Sequence, residues 1–261
     1  MIYLDQLGRK VFLDSSPKRI VSLVPSQTEY LYDLGLGERI AGQTIFCIYP
    51  ENEFKRATKV GGTKKLLLDK IRELKPDIII ANKEENEASQ IKELEMEYPV
   101  WISDIKTIEG AYGMMKTIGE IFGKEGIASE WIHKIKIKFE SLELSKSPRK
   151  ALYLIWREPW MAAGRDTFIN AMLPFAGFEN AIQDENSRYP ELNLNEMESL
   201  NPEFVLLSSE PYPFQEKHIA ELKSILPETK VLLVDGEMFS WYGSRLLQAP
   251  DYFSQIHKNN F

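Results

Sequence analysis

The side chains best suited to act on a partner molecule in this sequence are aromatic. Trp156 and Trp160 bracket Arg157-Glu158-Pro159, and Phe239, Trp241 and Tyr242 crowd a short run that continues through Gly243 and Ser244 to Arg245. Phe46, Tyr49 and Tyr189 stand in comparable stretches, and Arg188 adjoins Tyr189. Flat π-faces with a few guanidinium groups suit capture of a bulky, partly apolar, anionic ligand by stacking and cation–π contact. The competing reading for Trp156 is plain packing at a strand end. The run from Phe239 to Gly243 reads as an exposed loop, where packing explains less.

Catalytic patterns are sparse by contrast. The chain has no Gly-x-Gly-x-x-Gly, no phosphate loop, no Gly-x-Ser-x-Gly elbow and no helical His-Glu-x-x-His. Cys47 is the single cysteine, so neither an intramolecular disulfide nor a cysteine-rich zinc site can form, and an apolar setting makes it inert packing. The histidines, His133, His218 and His257, are too scattered for a metal cage. Glu84-Glu85 and the Glu93/Glu95 pair read as solvated helix faces. A net charge of -7 with both signs interspersed argues against nucleic acid as a partner.

The elements that position these residues follow from periodicity. Runs at Arg19–Val24, Ile78–Ala81, Lys150–Trp156, Phe204–Leu207 and Lys230–Asp235 read as strands, and Ile78–Ala81, apolar on both faces, as a central parallel one. Helical patterns alternate with them, which predicts parallel sheets covered by helices. Residues 1–13 read as a hairpin turning near Gly8. Ser26 or Thr28 is placed to cap a helix through Glu29–Leu34, and Pro250 to kink or restart a C-terminal helix over Gly243–Ile256. Leu74-Lys75-Pro76-Asp77-Ile78 corresponds to Leu200-Asn201-Pro202-Glu203-Phe204, so the second half repeats the plan of the first. Between the halves, Glu125–Leu144 carries Ile127, Trp131, Ile135, Phe139 and Leu142 at helical spacing and ends at Ser145-Lys146-Ser147-Pro148. In open α/β sheets ligands sit beyond the carboxyl ends of the strands. That rule selects Ser26, Phe46, Tyr49, Thr63, Trp156, Arg157, Trp160, Tyr189, Phe239, Trp241, Tyr242 and Arg245.

Pro17-Lys18-Arg19-Ile20-Val21-Ser22-Leu23-Val24-Pro25-Ser26-Gln27-Thr28-Glu29 resembles the opening of the helical-backbone (class III) substrate-binding proteins of ABC importers, which carry iron siderophores, haem or cobalamin. Asp5-Gln6-Leu7-Gly8-Arg9, Leu74-Lys75-Pro76-Asp77, Gly164-Arg165-Asp166-Thr167-Phe168 and Ala176-Gly177 match the same pattern in order, over almost the whole chain, and the branch most similar is the cobalamin-binding one. The resemblance implies an α/β fold of two Rossmann-like lobes with parallel sheets, joined by one long helix, with a ligand cleft between them. On this chain the lobes are 1–124, including the hairpin 1–13, and 146–261, with 125–145 as the connecting helix. It further implies a non-catalytic, monomeric protein with no cofactor of its own and no membrane span, whose ligand is cobalamin, haem or a ferric siderophore. An ABC permease is the implied partner, docking at a surface glutamate on each lobe. The aligned positions here are Ala88 and Asn195, so Glu87 and Glu196 are the neighbours that would serve. Where the cobalamin proteins offer tryptophans, this chain has Asn82 and Thr63-Lys64.

No apolar run reaches membrane-spanning length, and Met1–Gln6 lacks a basic and then an apolar region. The chain reads as cytoplasmic as written, or periplasmic if an export signal has been removed. Two alternatives follow: a cytoplasmic corrinoid or chelate carrier with no permease, and a tetrapyrrole metal chelatase-like enzyme relying on Glu158 and Glu237.

Overall fold

The unbroken apolar run beginning at Ile78 is buried along its whole length, as a strand needs to be when helices cover both faces of its sheet. The computed structural model describes residues 1–143, 147–184 and 187–260. The chain divides into two compact units. One comprises Met1–Ile105, Glu109–Ile135 and Tyr242–Arg245, the other Lys106–Ile108, Lys136–Trp241 and Leu246–Phe261.

The first unit opens with the hairpin β1 (Ile2–Leu4) and β2 (Lys10–Phe12), in which Tyr3 pairs with Val11. There follow β3 (Ile20–Ser22), α1 (Pro25–Asp33), β4 (Ile40–Gln43), β5 (Thr58–Lys59), α2 (Leu68–Leu74), β6 (Ile78–Asn82), α3 (Ala88–Glu95), β7 (Val100–Ser103), α4 (Ile108–Phe122, in this unit from Glu109) and α5 (Glu125–Glu140, in this unit as far as Ile135). The sheet runs β5-β4-β3-β6-β7 and every pairing is parallel. Val21, Leu23, Ile79, Ala81, Ile91 and Leu94 form part of its core. Pro25 occupies the first turn of α1, where its missing N–H costs nothing, and no side chain caps the helix. Thr28 instead turns its hydroxyl back onto the Val24 carbonyl at 2.7 Å.

The second unit contains β8 (Arg149–Trp156), β9 (Trp160–Ala162), α6 (Phe168–Met172), β10 (Phe178–Asn180), β11 (Glu191–Leu192), α7 (Leu194–Ser199), β12 (Phe204–Ser208), α8 (Glu216–Ile225), β13 (Lys230–Val234), α9 (Gly236–Ser240) and α10 (Ala249–Asn260). Its sheet runs β11-β9-β8-β12-β13, with β10 also paired to β8. This sheet is mixed, which corrects the expectation of parallel strands throughout. β8, β10, β12 and β13 are parallel, but β9 is antiparallel to β8 and β11 to β9. Arg157-Glu158-Pro159 is too short to cross over the sheet, so β9 has to return beside β8 as a hairpin.

The repeated turn is conformational as well as sequential. Lys75 and Asn201 both adopt φ 45° ahead of Pro76 and Pro202, where the proline ring disfavours the right-handed helical region. Asp77 and Glu203 then each donate their N–H to the strand beside them, at Arg19 and Lys150. Their carboxylates accept from Arg19 N at 2.9 Å and Lys150 N at 3.0 Å. Both turns thereby lock the start of a central strand to its neighbour.

The helix Glu125–Glu140 is shorter than the sequence pattern suggested, and its expected end at 144–145 lies outside the described residues. Its buried face is Ala128, Ile135 and Phe139, while Ile127 and His133 are exposed. Phe139 packs edge-on against Phe175 at 4.8 Å. At the other end of the chain a short 3-10 turn over Ser244–Leu247 precedes α10, so Pro250 restarts a helix instead of kinking one.

Candidate functional site

In the first unit, the carboxyl ends of β3, β4, β6 and β7 close on a layer of buried polar groups. Thr28 Oγ1 lies 2.6 Å from Ser22 Oγ, and the Cys47 thiol sits 3.1 Å from both Thr28 Oγ1 and Thr44 Oγ1. Burial pushes that thiol up from its ordinary pKa, so it stays protonated and unreactive. Asn82 Oδ1 accepts the N–H groups of Glu84 and Glu85 at 2.8 and 3.0 Å. Asn86 Nδ2 donates to the Thr63 carbonyl at 3.1 Å, which ties the loop after β5 to the loop after β6. Above this layer the β4–β5 loop offers Phe46, 53% exposed, between the exposed Ile45 and Ile48, with Tyr49 half-buried beyond them. Ser26 is placed differently: it is buried, and its Oγ has no hydrogen-bond partner among the described residues.

The second unit presents an aromatic ladder. Trp156, 41% exposed, meets Tyr212 edge-on at 5.6 Å; Tyr212 packs against Phe214 at 4.7 Å, and Phe214 stacks on Trp160 at 6.1 Å with planes 1° apart. The Arg157 guanidinium lies 5.4 Å from the centre of the Trp160 ring. Behind the ladder, His218 Nε2 and Tyr212 Oη are 3.2 Å apart, and His218 Nδ1 accepts the Gln215 N–H at 2.9 Å. Tyr189 is half-buried in a loop that runs close against Gly164, whose N–H donates to the Arg188 carbonyl at 2.7 Å.

The run from Phe239 to Arg245 is not the exposed loop its composition suggested. Phe239 is fully buried and packs within 5.2 Å of Tyr153 and 4.9 Å of Phe253. Trp241 is 8% exposed and donates its indole N–H to Glu210 Oε1 at 2.8 Å. Tyr242 and Arg245 belong to the first unit, where Tyr242 Oη donates to Glu85 Oε1 at 3.3 Å and Arg245 forms a two-pronged pair with Glu29. The structure therefore brings Tyr49 and Arg245 together in one unit, with Tyr242 turned to Glu85, and Trp156, Arg157 and Trp160 together in the other.

The electrostatics correct the expectation of a cationic site. Arg157 pairs with Glu221 at 2.7 Å and with Glu158, Arg188 with Asp166 at 2.9 Å, and Arg245 with Glu29 at 2.6 Å. Hydrogen bonds to Glu221 hold the Arg157 guanidinium further into its charged form, and those from Lys106 and Arg188 pull the Asp166 carboxyl below its usual range. Each guanidinium already has a carboxylate, which leaves little net positive charge for an anion. Sequence reasoning missed Glu29, Glu85, Glu210 and Glu221, and it missed Tyr212 and Phe214. The loop Ser209–Phe214 follows β12 directly, so the rule that selected the other loops selects this one too. Among the described residues no three His, Cys, Asp or Glu side chains gather to hold a metal ion, and no helix is long and apolar enough to cross a membrane.

Known proteins agree with this architecture. An uncharacterized ABC transporter substrate-binding lipoprotein of Bacillus subtilis, YvrC, is 29% identical over 272 residues, covering 98% of this chain and 85% of that one. The vitamin B12-binding protein of Vibrio campbellii is 24% identical over 220 residues, covering 83% and 79%. The periplasmic heme-binding protein RhuT from Roseiflexus sp. RS-1, solved in its apo form, shares the fold with a TM-score of 0.78 at 19% identity, covering 92% of this chain and 98% of that one. The profile of the family described as periplasmic binding protein matches residues 20–225, and the chain belongs to that family of binding proteins.

Proposed function

We propose that this protein is the substrate-binding component of an ABC importer and carries a bulky, π-faced metal chelate, with an uncharged corrinoid ahead of haem. The observation that carries the reading is the accessible Trp156 beside the half-buried Tyr212 and Trp160, all backed by the buried Phe214, with the attendant Arg157 neutralised by Glu221. Such a surface gains affinity from stacking and apolar burial and offers little to a dianion. Haem brings two carboxylates that need cations, whereas the corrin ring is fringed with neutral amides. The relatives named for vitamin B12 and for ABC transport support both halves of the proposal.

Glu87 and Glu196 support a permease partner. Both are exposed, Glu87 just ahead of α3 and Glu196 in the first turn of α7, where its carboxylate also accepts the Asn193 N–H at 2.7 Å.

Titrating the purified protein with cyanocobalamin, ferric haem and ferrichrome while following tryptophan fluorescence tests the ligand class. The expected result is saturable quenching, strongest with cyanocobalamin and little altered by salt. Tight, salt-sensitive binding of haem alone would reverse the ranking, and no quenching by any of the three at millimolar concentration would overturn the proposal.

A further inference from the structure

Arg245 stands where the sequence suggests a ligand-contacting cation, yet its surroundings turn it inward. It is 8% exposed, and its Nε and Nη2 lie 3.0 and 2.6 Å from the two carboxylate oxygens of Glu29. Its Cζ sits 4.1 Å from the centre of the Tyr49 ring. Burial pushes the Glu29 carboxyl above its ordinary value against the pull of Arg245. The segment is anchored at its other end as well, through Tyr242 and Glu85. Gly243 makes the turn between them at φ +96°, close enough to α1 that a Cβ would fall 3.1 Å from Tyr30 Cβ. A side chain there would have to be both left-handed and crowded.

We infer that Arg245 is a positioning residue: clamped by Glu29, it holds the ring of Tyr49 in the loop after β4 and does not itself meet the ligand. The inference rests on the proposed role of that loop in ligand contact. A guanidinium is suited to the task because its planar fork satisfies a carboxylate with one edge while its face lies on an aromatic ring. A lysine supplies the charge without the fork, so it holds the ring less well.

The test separates this inference from the broader reading by including a measurement that needs no ligand. Protein labelled with 3-fluorotyrosine gives a ¹⁹F signal for Tyr49, identified by its loss in Tyr49→Phe. Glu29→Gln and Arg245→Gln are expected to move that signal to the same new position, with the double variant no different from either. Arg245→Lys is expected to leave it displaced. In cyanocobalamin titrations both single variants should weaken binding by a similar factor, about three- to tenfold for one lost cation–π contact. An unmoved Tyr49 signal in Glu29→Gln overturns the inference. So does tighter binding of ferric haem by Glu29→Gln alongside weaker binding by Arg245→Gln, the signature of a guanidinium that reaches the ligand directly. If Arg245→Gln does not fold, Glu29→Gln and Arg245→Lys decide the question. If the unaltered protein binds neither probe, the proposed function fails while the fluorine signal still decides the role of Arg245.

Discussion

At the scale of single residues, exposure separates side chains that can meet a ligand from those spent on packing. Trp156 is 41% exposed at the end of a buried strand, with its edge on Tyr212, so truncating it removes contact surface without opening the core. Trp156→Ala is expected to weaken cyanocobalamin binding about tenfold or more, as for an aromatic anchor at an interface, with an unchanged melting temperature. Calorimetric titration beside a thermal melt checks both. Phe239→Ala should show the reverse pattern, because that ring is buried among Tyr153, Tyr252 and Phe253.

Asp166 responds to pH through its two cations. Hydrogen bonds from Lys106 and Arg188 lower its carboxyl, so its contribution is present above about 4 and is lost as pH falls through the depressed value. Asp166→Asn is therefore expected to lower the melting temperature at neutral pH, by an amount that shrinks as the pH falls. Melts across the acidic range check the sign.

At the scale of elements, close approach of backbones fixes the loop that carries Tyr189. A Cβ on Gly164 would lie 2.4 Å from the Ser187 carbonyl oxygen and 2.9 Å from that of Arg188. Since the obstacle is backbone, Gly164→Ala has to displace the whole loop, at a cost of about 1–3 kcal/mol. A lower denaturation midpoint with an unchanged slope in urea would show it.

Which elements were legible in the sequence follows from the same physics. The central strands, β6 and β12, announce themselves because burial on both faces demands continuous apolar runs, and Pro76 and Pro202 mark the turns before them. The strands β5 and β11 are two residues each, too short for any period to register. The run at 239–245 reads as an exposed loop in sequence because its burial comes from partners remote along the chain: Glu85 lies 157 positions from Tyr242, and Glu29 lies 216 from Arg245. The aromatic loops of the second unit were partly legible from composition. The neutralisation of their arginines was not, since Arg157 meets Glu221 across 64 positions.

At the scale of the whole molecule, Glu87 in the first unit and Glu196 in the second are both exposed near the start of a helix. If these dock to a permease, Glu87→Lys and Glu196→Lys should each weaken the complex with that membrane partner while leaving cyanocobalamin titrations unaltered. Co-purification with the detergent-solubilised permease, run beside the titration, separates docking from binding. Equal retention of both variants would remove these residues from the docking surface. Glu196→Lys should also lower stability by about 1 kcal/mol, because it dismantles the capping box with Asn193.

The return of Tyr242–Arg245 to the first unit has a consequence in time. A chain leaving the ribosome completes β1 through α4 early, yet this unit still lacks the arginine that pairs with Glu29. The Glu29 carboxylate waits, hydrated, until nearly all of the second unit has been synthesised. Contacts of such long sequence separation form late and slow the folding of the unit they belong to. A nascent chain stalled before Tyr242 would thus carry a first unit that is mostly built but unlatched.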